Sequence, residues 1–190
     1  PFAQEMIVVP TYAMARWLNL RIAQQQGIAA NIDYPQAGAW IWSLAATILN
    51  GTAEQDPYSG DALNWQVFSL LPGQLEDESF AALRHYLNDD DDGLKRWQLA
   101  QRIAAAFDRY QLYRPDKIRG WSAGNEHHWQ ARLWRKIVTA RLQEHRLEVI
   151  ARIIDRLGDD TLTVELPERI SLFAMSRLAP VFIELVHALA

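Results

Sequence analysis

Arg102 and Arg109 stand two helical turns apart in the segment Leu94–Arg114, on the side opposite Ile103, Phe107 and Tyr110, and Arg114 follows at its end. Guanidinium groups in such a row can hold phosphates of a nucleic-acid backbone, because each presents a fixed fork of donors. A solvated or salt-bridged face is the commoner use of such a row, and Asp108 lies beside Arg109. A second candidate is the pair Trp40 and Trp42. Two residues apart on a helix, they point in different directions, so both cannot enter one core, and a ring left in a groove can stack on a base. Trp17, Trp65 and Trp97 lie on apolar helical stripes and are expected in the core.

Other chemistries find no support in the residues. No G-x-x-x-x-G-K-[ST] loop is present and none of the three lysines follows a glycine, so this chain alone is not expected to hydrolyse ATP. No Asp-Glu pair ends an apolar strand to hold Mg²⁺. His127 and His128 are adjacent, about 100° apart on a helix, and a surface pair is the plainer reading than a metal site. His85, His145 and His187 are isolated in sequence. The run Asp89–Asp92 lacks the spacing of an EF-hand loop and is expected to be a solvated turn. Cysteine is absent, which removes disulfides and thiolate metal sites.

The 190 residues carry a net charge of −4, with sixteen Arg against three Lys. A net negative chain cannot hold nucleic acid through a global basic field, so a DNA contact would have to be a local arginine-lined surface. A GC-rich genome also favours Arg over Lys. No apolar run approaches the ~20 residues of a membrane helix, and no signal peptide is visible; a cytoplasmic protein without membrane contact is expected. The chain begins at Pro1 and ends at Ala190 inside an apolar helical pattern, which reads as a fragment of a longer chain.

These side chains need a scaffold. Met6–Pro10 is a β-branched run typical of a strand in a parallel sheet. Thr11 is a plausible cap for a helix to Gln26, ended by Gly27. Ile28–Asp33 is short and extended, and Ala37–Asn50 reads as a buried helix. Asp61 can cap a helix ending near Pro72-Gly73; Glu76–Asn88, Leu94–Arg114, Glu126–Glu144 and Leu147–Leu157 follow as helices, with a short turn at Lys117–Trp121. Thr161–Val164 is extended, Arg169–Ala174 is a second clear strand, and Leu178–Ala190 a last helix. Two strands therefore bracket a long helical middle, too long for a simple crossover. The expected organisation is an α/β, helix-rich fold: a core part over residues 1–50, an inserted helical subdomain over 51–160, and a return to the core over 161–190.

Five stretches carry a resemblance to a known family: Met6-Ile-Val-Val-Pro-Thr-Tyr-Ala-Met-Ala-Arg-Trp-Leu18, Gly27-Ile-Ala-Ala-Asn-Ile-Asp-Tyr-Pro35, Leu83-Arg-His-Tyr-Leu87 with the acidic run behind it, Ala106-Phe-Asp-Arg-Tyr-Gln-Leu-Tyr-Arg-Pro-Asp116, and Leu166–Pro180. Taken together they resemble the amino-terminal helicase-like region of RecC, the gamma chain of exodeoxyribonuclease V. The resemblance implies a superfamily-one-helicase-like domain with a small parallel sheet and a large inserted all-helical subdomain, without its ATPase residues. It implies a non-catalytic DNA-binding subunit of the RecBCD helicase–nuclease, which handles the unwound strand and scans it for Chi during double-strand break repair by recombination. RecB-like and RecD-like subunits are the implied partners, single-stranded and forked DNA the implied ligand, and ATP and Mg are expected on the partner subunits rather than here. The alternative is a structural domain that docks the RecB-like partner without touching DNA.

By this resemblance the DNA surface is Tyr12, Arg16, Trp42, Asp108, Arg109 and Arg114. Trp42, Asp108 and Arg114 match family residues that line the strand channel. Pro10, Tyr12, Arg16, Gln36, Ala105, Ala106 and Arg109 replace other residue types there, which should change the sequence that is read. The turn at Pro10–Arg16 corresponds to a single-strand-contacting motif of helicases. Arg would hold phosphate, Trp42 would stack, and Asp108 would accept from a base amino group or orient an arginine. Ala174 stands where the family usually has Gly after the late strand, which narrows the backbone allowed there.

Overall fold

Three short parallel strands and nine helices are present among the residues described by the structure, a computed structural model covering 4–51, 56–141, 143–159 and 161–190. The sheet is built from β1 (Glu5–Val8), β2 (Ile32–Asp33) and β3 (Ile170–Leu172), in the order β2-β1-β3. β1 is central. Glu5 and Met6 pair with Ile32 and Asp33 on one side, and Met6, Ile7 and Val8 with Ile170, Ser171 and Leu172 on the other. The first and last clear strands of the sequence are thus neighbours in one parallel sheet, as expected. β2 is a third strand, only two residues long, at the end of the extended segment.

The first helix, α1 (Tyr12–Gln26), starts and stops where the sequence says it should. Thr11 is extended and its hydroxyl accepts from the Met14 amide at 3.2 Å, while Gly27 takes φ +83°, a left-handed geometry open to glycine. It buries no residue fully, however, and Trp17 is 49% exposed. The expectation that Trp17 is a core residue is corrected: its ring stacks on Phe173, centroids 6.3 Å apart, and about half of it stays exposed. α2 (Ala37–Ile48) corrects a second expectation. Trp40 and Trp42 are both buried, together with Ile41, Leu44, Ala45 and Ile48. At 100° per residue these six positions fill an arc of about 200°, so the helix is covered on more than half of its circumference and both rings fit.

The chain divides into two compact units, one gathering described residues of 1–55, 152–178 and 185–190, the other 56–151 and 179–184. The second holds α3 (Gly60–Leu70), 3₁₀ turns at Pro72–Gln74 and Glu78–Phe80, α4 (Ala81–Tyr86), α5 (Leu94–Tyr113), α6 (Pro115–Ser122), α7 (Trp129–Ala140), and half of α8 (Arg146–Leu157). The last helix, α9 (Pro180–Leu189), follows β3. Three boundaries differ from expectation. Ser59, not Asp61, is the residue before α3; the Glu76–Asn88 helix is a 3₁₀ turn followed by the short α4; and α7 stops at Ala140 because Arg141 turns extended. Thr161–Val164 forms no strand.

The core of the helical unit is aromatic. Phe107 of α5 meets Trp121 of α6 at 5.8 Å and Trp134 of α7 at 5.6 Å, both edge to face, and Trp134 meets Tyr58 at 5.8 Å. Each such contact adds about 0.5–1.5 kcal/mol beyond the area it buries. Trp65, expected in this core, is 58% exposed and instead packs on Trp97 at 4.7 Å on the surface.

Candidate nucleic-acid interface

The row expected on α5 is present. Gln98, Arg102, Ala105, Arg109 and Tyr113 fall within a narrow arc of the helix and are all exposed, opposite the buried Ala100, Ile103, Ala104 and Phe107. Tyr113 is 49% exposed one turn beyond Arg109. Sequence reasoning did not select it, although its four-residue spacing from Arg109 was the available signal. Arg114 closes the row. It sits at the break between α5 and α6, with φ −138° and ψ 52°, and Pro115 opens the next helix. Among the described residues neither Arg109 nor Arg114 has a carboxylate partner, so both guanidinium groups face solvent.

Asp108 is occupied. It accepts a hydrogen bond at 3.1 Å from Arg146, whose guanidinium also pairs with Asp56. The side chains of Arg146 and Asp56 are 8% and 5% exposed, against 34% for Asp108. This buried trio was not foreseen, since nothing local in sequence links three residues so far apart. Asp56 and Tyr58 are tied in place: the Asp56 carboxylate accepts from the Tyr58 amide at 2.9 Å, Gln111 donates to the Tyr58 carbonyl at 3.0 Å, and the Tyr58 hydroxyl donates to the Gln143 carbonyl at 2.7 Å. Burial, with the nearby Glu148 carboxylate, pushes the Tyr58 phenol up to about 12, so that donor keeps its proton.

Tyr12 and Arg16 belong to the other unit. They lie one turn apart at the start of α1, both exposed, Tyr12 at 79%. Arg21 places its guanidinium 5.6 Å from the centroid of Trp17, a cation–π contact on the same helix. Trp42 is only 7% exposed, at the edge of the buried arc of α2 next to the exposed Ala46. The six expected positions therefore fall three to each unit: Tyr12 with Arg16 on one turn and Trp42 in α2, then Asp108, Arg109 and Arg114 along and just past α5.

The family model for the RecC N-terminal domain matches residues 1–190. The chain belongs to the RecC N-terminal domain family. Among curated relatives, RecBCD enzyme subunit RecC of Escherichia coli K12 is 37% identical over 202 residues, covering 100% of this chain and 18% of the relative. The RecC subunit of Haemophilus influenzae is 30% identical and that of Mycobacterium tuberculosis H37Rv 31%, each across 100% of this chain and 20% and 19% of their own lengths. The chain thus spans about a fifth of the RecC relatives it matches. No helix among the described residues is long and apolar enough to cross a membrane.

Proposed function

We propose that this RecC-family domain is a non-catalytic DNA-handling part of a RecBCD-type helicase–nuclease, acting in the bacterial cytoplasm in double-strand break repair by recombination. In this reading it has the plan of a superfamily-one helicase domain with an inserted helical subdomain, RecB-like and RecD-like subunits assemble with it, and ATP and Mg bind on those partners. An unwound strand runs along α5. Arg109 and Arg114 hold its phosphates, Tyr113 offers a ring to a base, and Arg146 keeps Asp108 aimed at that face. Tyr12 and Arg16, in the other unit, offer an aromatic and a cation of their own on α1. Trp42 contributes through the edge left open at the rim of α2 and otherwise braces that helix. Scanning for Chi would use channel positions that match the family, Trp42, Asp108 and Arg114, together with those that depart from it, so the sequence it reads would be its own.

The observation that supports this most is the unpaired arginine row on α5, exposed beside an aromatic, in a chain with a net charge of −4. The test is Arg109→Ala with Arg114→Ala in the assembled complex, measured by anisotropy of a labelled single strand across a salt series. Freeing two phosphates from the protein should lower the slope of log K against log salt by roughly 1 to 1.5. Unchanged affinity and slope would remove this surface. A docking role for the RecB-like partner is favoured by one other observation, the exposed apolar side chains Trp17, Leu20 and Ile28 on and after α1. Under that reading, substitutions there dissociate the subunits and the arginine pair does nothing to DNA.

A further inference from the structure

A second cationic face lies on α7. Arg132, Arg135, Lys136 and Thr139 are at i, i+3, i+4 and i+7, so they share one side of the helix. With Gln74, Asp77 and His127 they line a concave pocket of about 450 Å³. Three cations stand there against one carboxylate, in a chain that is acidic as a whole.

Two of the cations are set in place by the protein. Arg132 pairs with Asp77 and donates through Nε to the His127 carbonyl at 2.9 Å. Asp77 is itself fixed by the Ser79 amide at 2.9 Å and hydroxyl at 2.8 Å, which hold its carboxyl below the usual carboxylate range. Arg135 is half-buried and uses one nitrogen, Nη1, on the carbonyls of Trp121 and Glu126, both at 2.9 Å. Its remaining N–H groups are unspent, and Lys136 is exposed without a carboxylate partner among the described residues. Guanidinium groups anchored in this way lose little freedom when they bind, which favours a planar or tetrahedral oxyanion.

We propose that this α7 face is a second phosphate site, holding the backbone of a nucleic-acid strand without reading its bases; it rests on the reading that the helical unit handles DNA. No Trp, Tyr, Phe or aliphatic residue lines the pocket. The small His127 imidazole is the one ring on its lining, a poor platform for successive bases beside the indole and phenol rings that stacking grooves use, and an acidic peptide would lack the apolar anchor that protein contacts use. A phosphodiester needs only the donors.

The experiment uses the full-length chain assembled with its partner subunits. Lys136→Glu is exposed and leaves the anchored arginines intact; Lys136→Arg is the conservative control, and Arg135→Lys a second variant. The probes are a labelled oligothymidylate, a mixed-sequence strand of the same length, an uncharged peptide-nucleic-acid strand and a polyglutamate peptide. Lys136→Glu should weaken both DNA strands equally, three- to tenfold at low salt, and lower the salt slope by about 0.7 for each phosphate no longer held. Lys136→Arg should restore both, and the uncharged strand should be indifferent. An unchanged salt slope in Lys136→Glu, or loss of polyglutamate binding with DNA unaffected, overturns the proposal. If Lys136→Glu is silent while the Arg109/Arg114 pair is not, only the α7 site fails; if both are silent, the DNA reading fails with it.

Discussion

Asp108 and Arg146 meet at 3.1 Å across a sequence separation of 38 residues, and the same guanidinium reaches Asp56, 90 residues away. One cation therefore serves one nearly buried carboxylate and one that is a third exposed. Removing it is asymmetric in its effects. Arg146→Ala strands Asp56 in the interior, and breaking a buried pair from one side costs about 3–5 kcal/mol. Asp108→Asn keeps the shape and leaves Arg146 with Asp56, so it should cost no more than about 1 kcal/mol. Urea denaturation of the two variants checks the ordering; equal midpoints would show that the trio does not stabilise the helical unit.

Ala174 sits at φ +55°, shortly after β3. An L-residue there meets its own carbonyl oxygen, at a cost of roughly 1–2 kcal/mol. Glycine escapes that clash but gives up more freedom on folding. Ala174→Gly should therefore raise the unfolding midpoint, by about 0.5–1 kcal/mol in net stability. A lower midpoint would mean that the methyl group packs to advantage.

His145 is 3% exposed, and burial holds its imidazole below the ordinary histidine range despite the Glu148, Asp56 and Glu144 carboxylates, which pull the other way. The sign follows from linkage. The unfolded chain binds this proton more readily than the folded one, so the stabilisation is complete above about pH 6.5 and is lost as pH falls toward and through the depressed folded value. Urea midpoints from pH 7.5 down to pH 5 should decline, and His145→Gln should flatten the decline. A variant as acid-sensitive as the parent would assign the effect to the carboxylates.

The sequence made some of this plain and hid the rest for physical reasons. α5 was legible because its apolar residues keep a 3.6-residue period for five turns, and Thr11 and Gly27 marked α1 because capping chemistry is local. The pairing of β1 with β3 could be inferred because each lies in a short, mostly apolar run, Met6–Val9 and Ile170–Phe173, the second interrupted by Ser171. Trp17 does lie on an apolar stripe, but α1 carries apolar residues on its other sides too, so that stripe does not single out an inner face. Trp40 and Trp42 do point apart, but divergence excludes joint burial only on a helix covered along a narrow stripe, and α2 is covered over about 200°. Arg146 was invisible: a lone arginine at a helix start says nothing about which carboxylates the fold will bring to it. Tyr113 gives only a weak signal, its place four residues after Arg109, because a tyrosine near a helix end packs as readily as it stands exposed.

The ion pair between Glu5 and Arg169, 2.8 Å long and spanning 164 residues, lies at the start of the neighbouring parallel strands β1 and β3. A ribosome adding about 5–20 residues per second delivers Arg169 roughly ten to thirty seconds after Glu5. Through that interval one edge of β1 has no strand to pair with, so the nascent chain carries a sticky, unzipped ribbon while its helices are already able to collapse. Whatever shelters the emerging polypeptide has to guard those few residues longest.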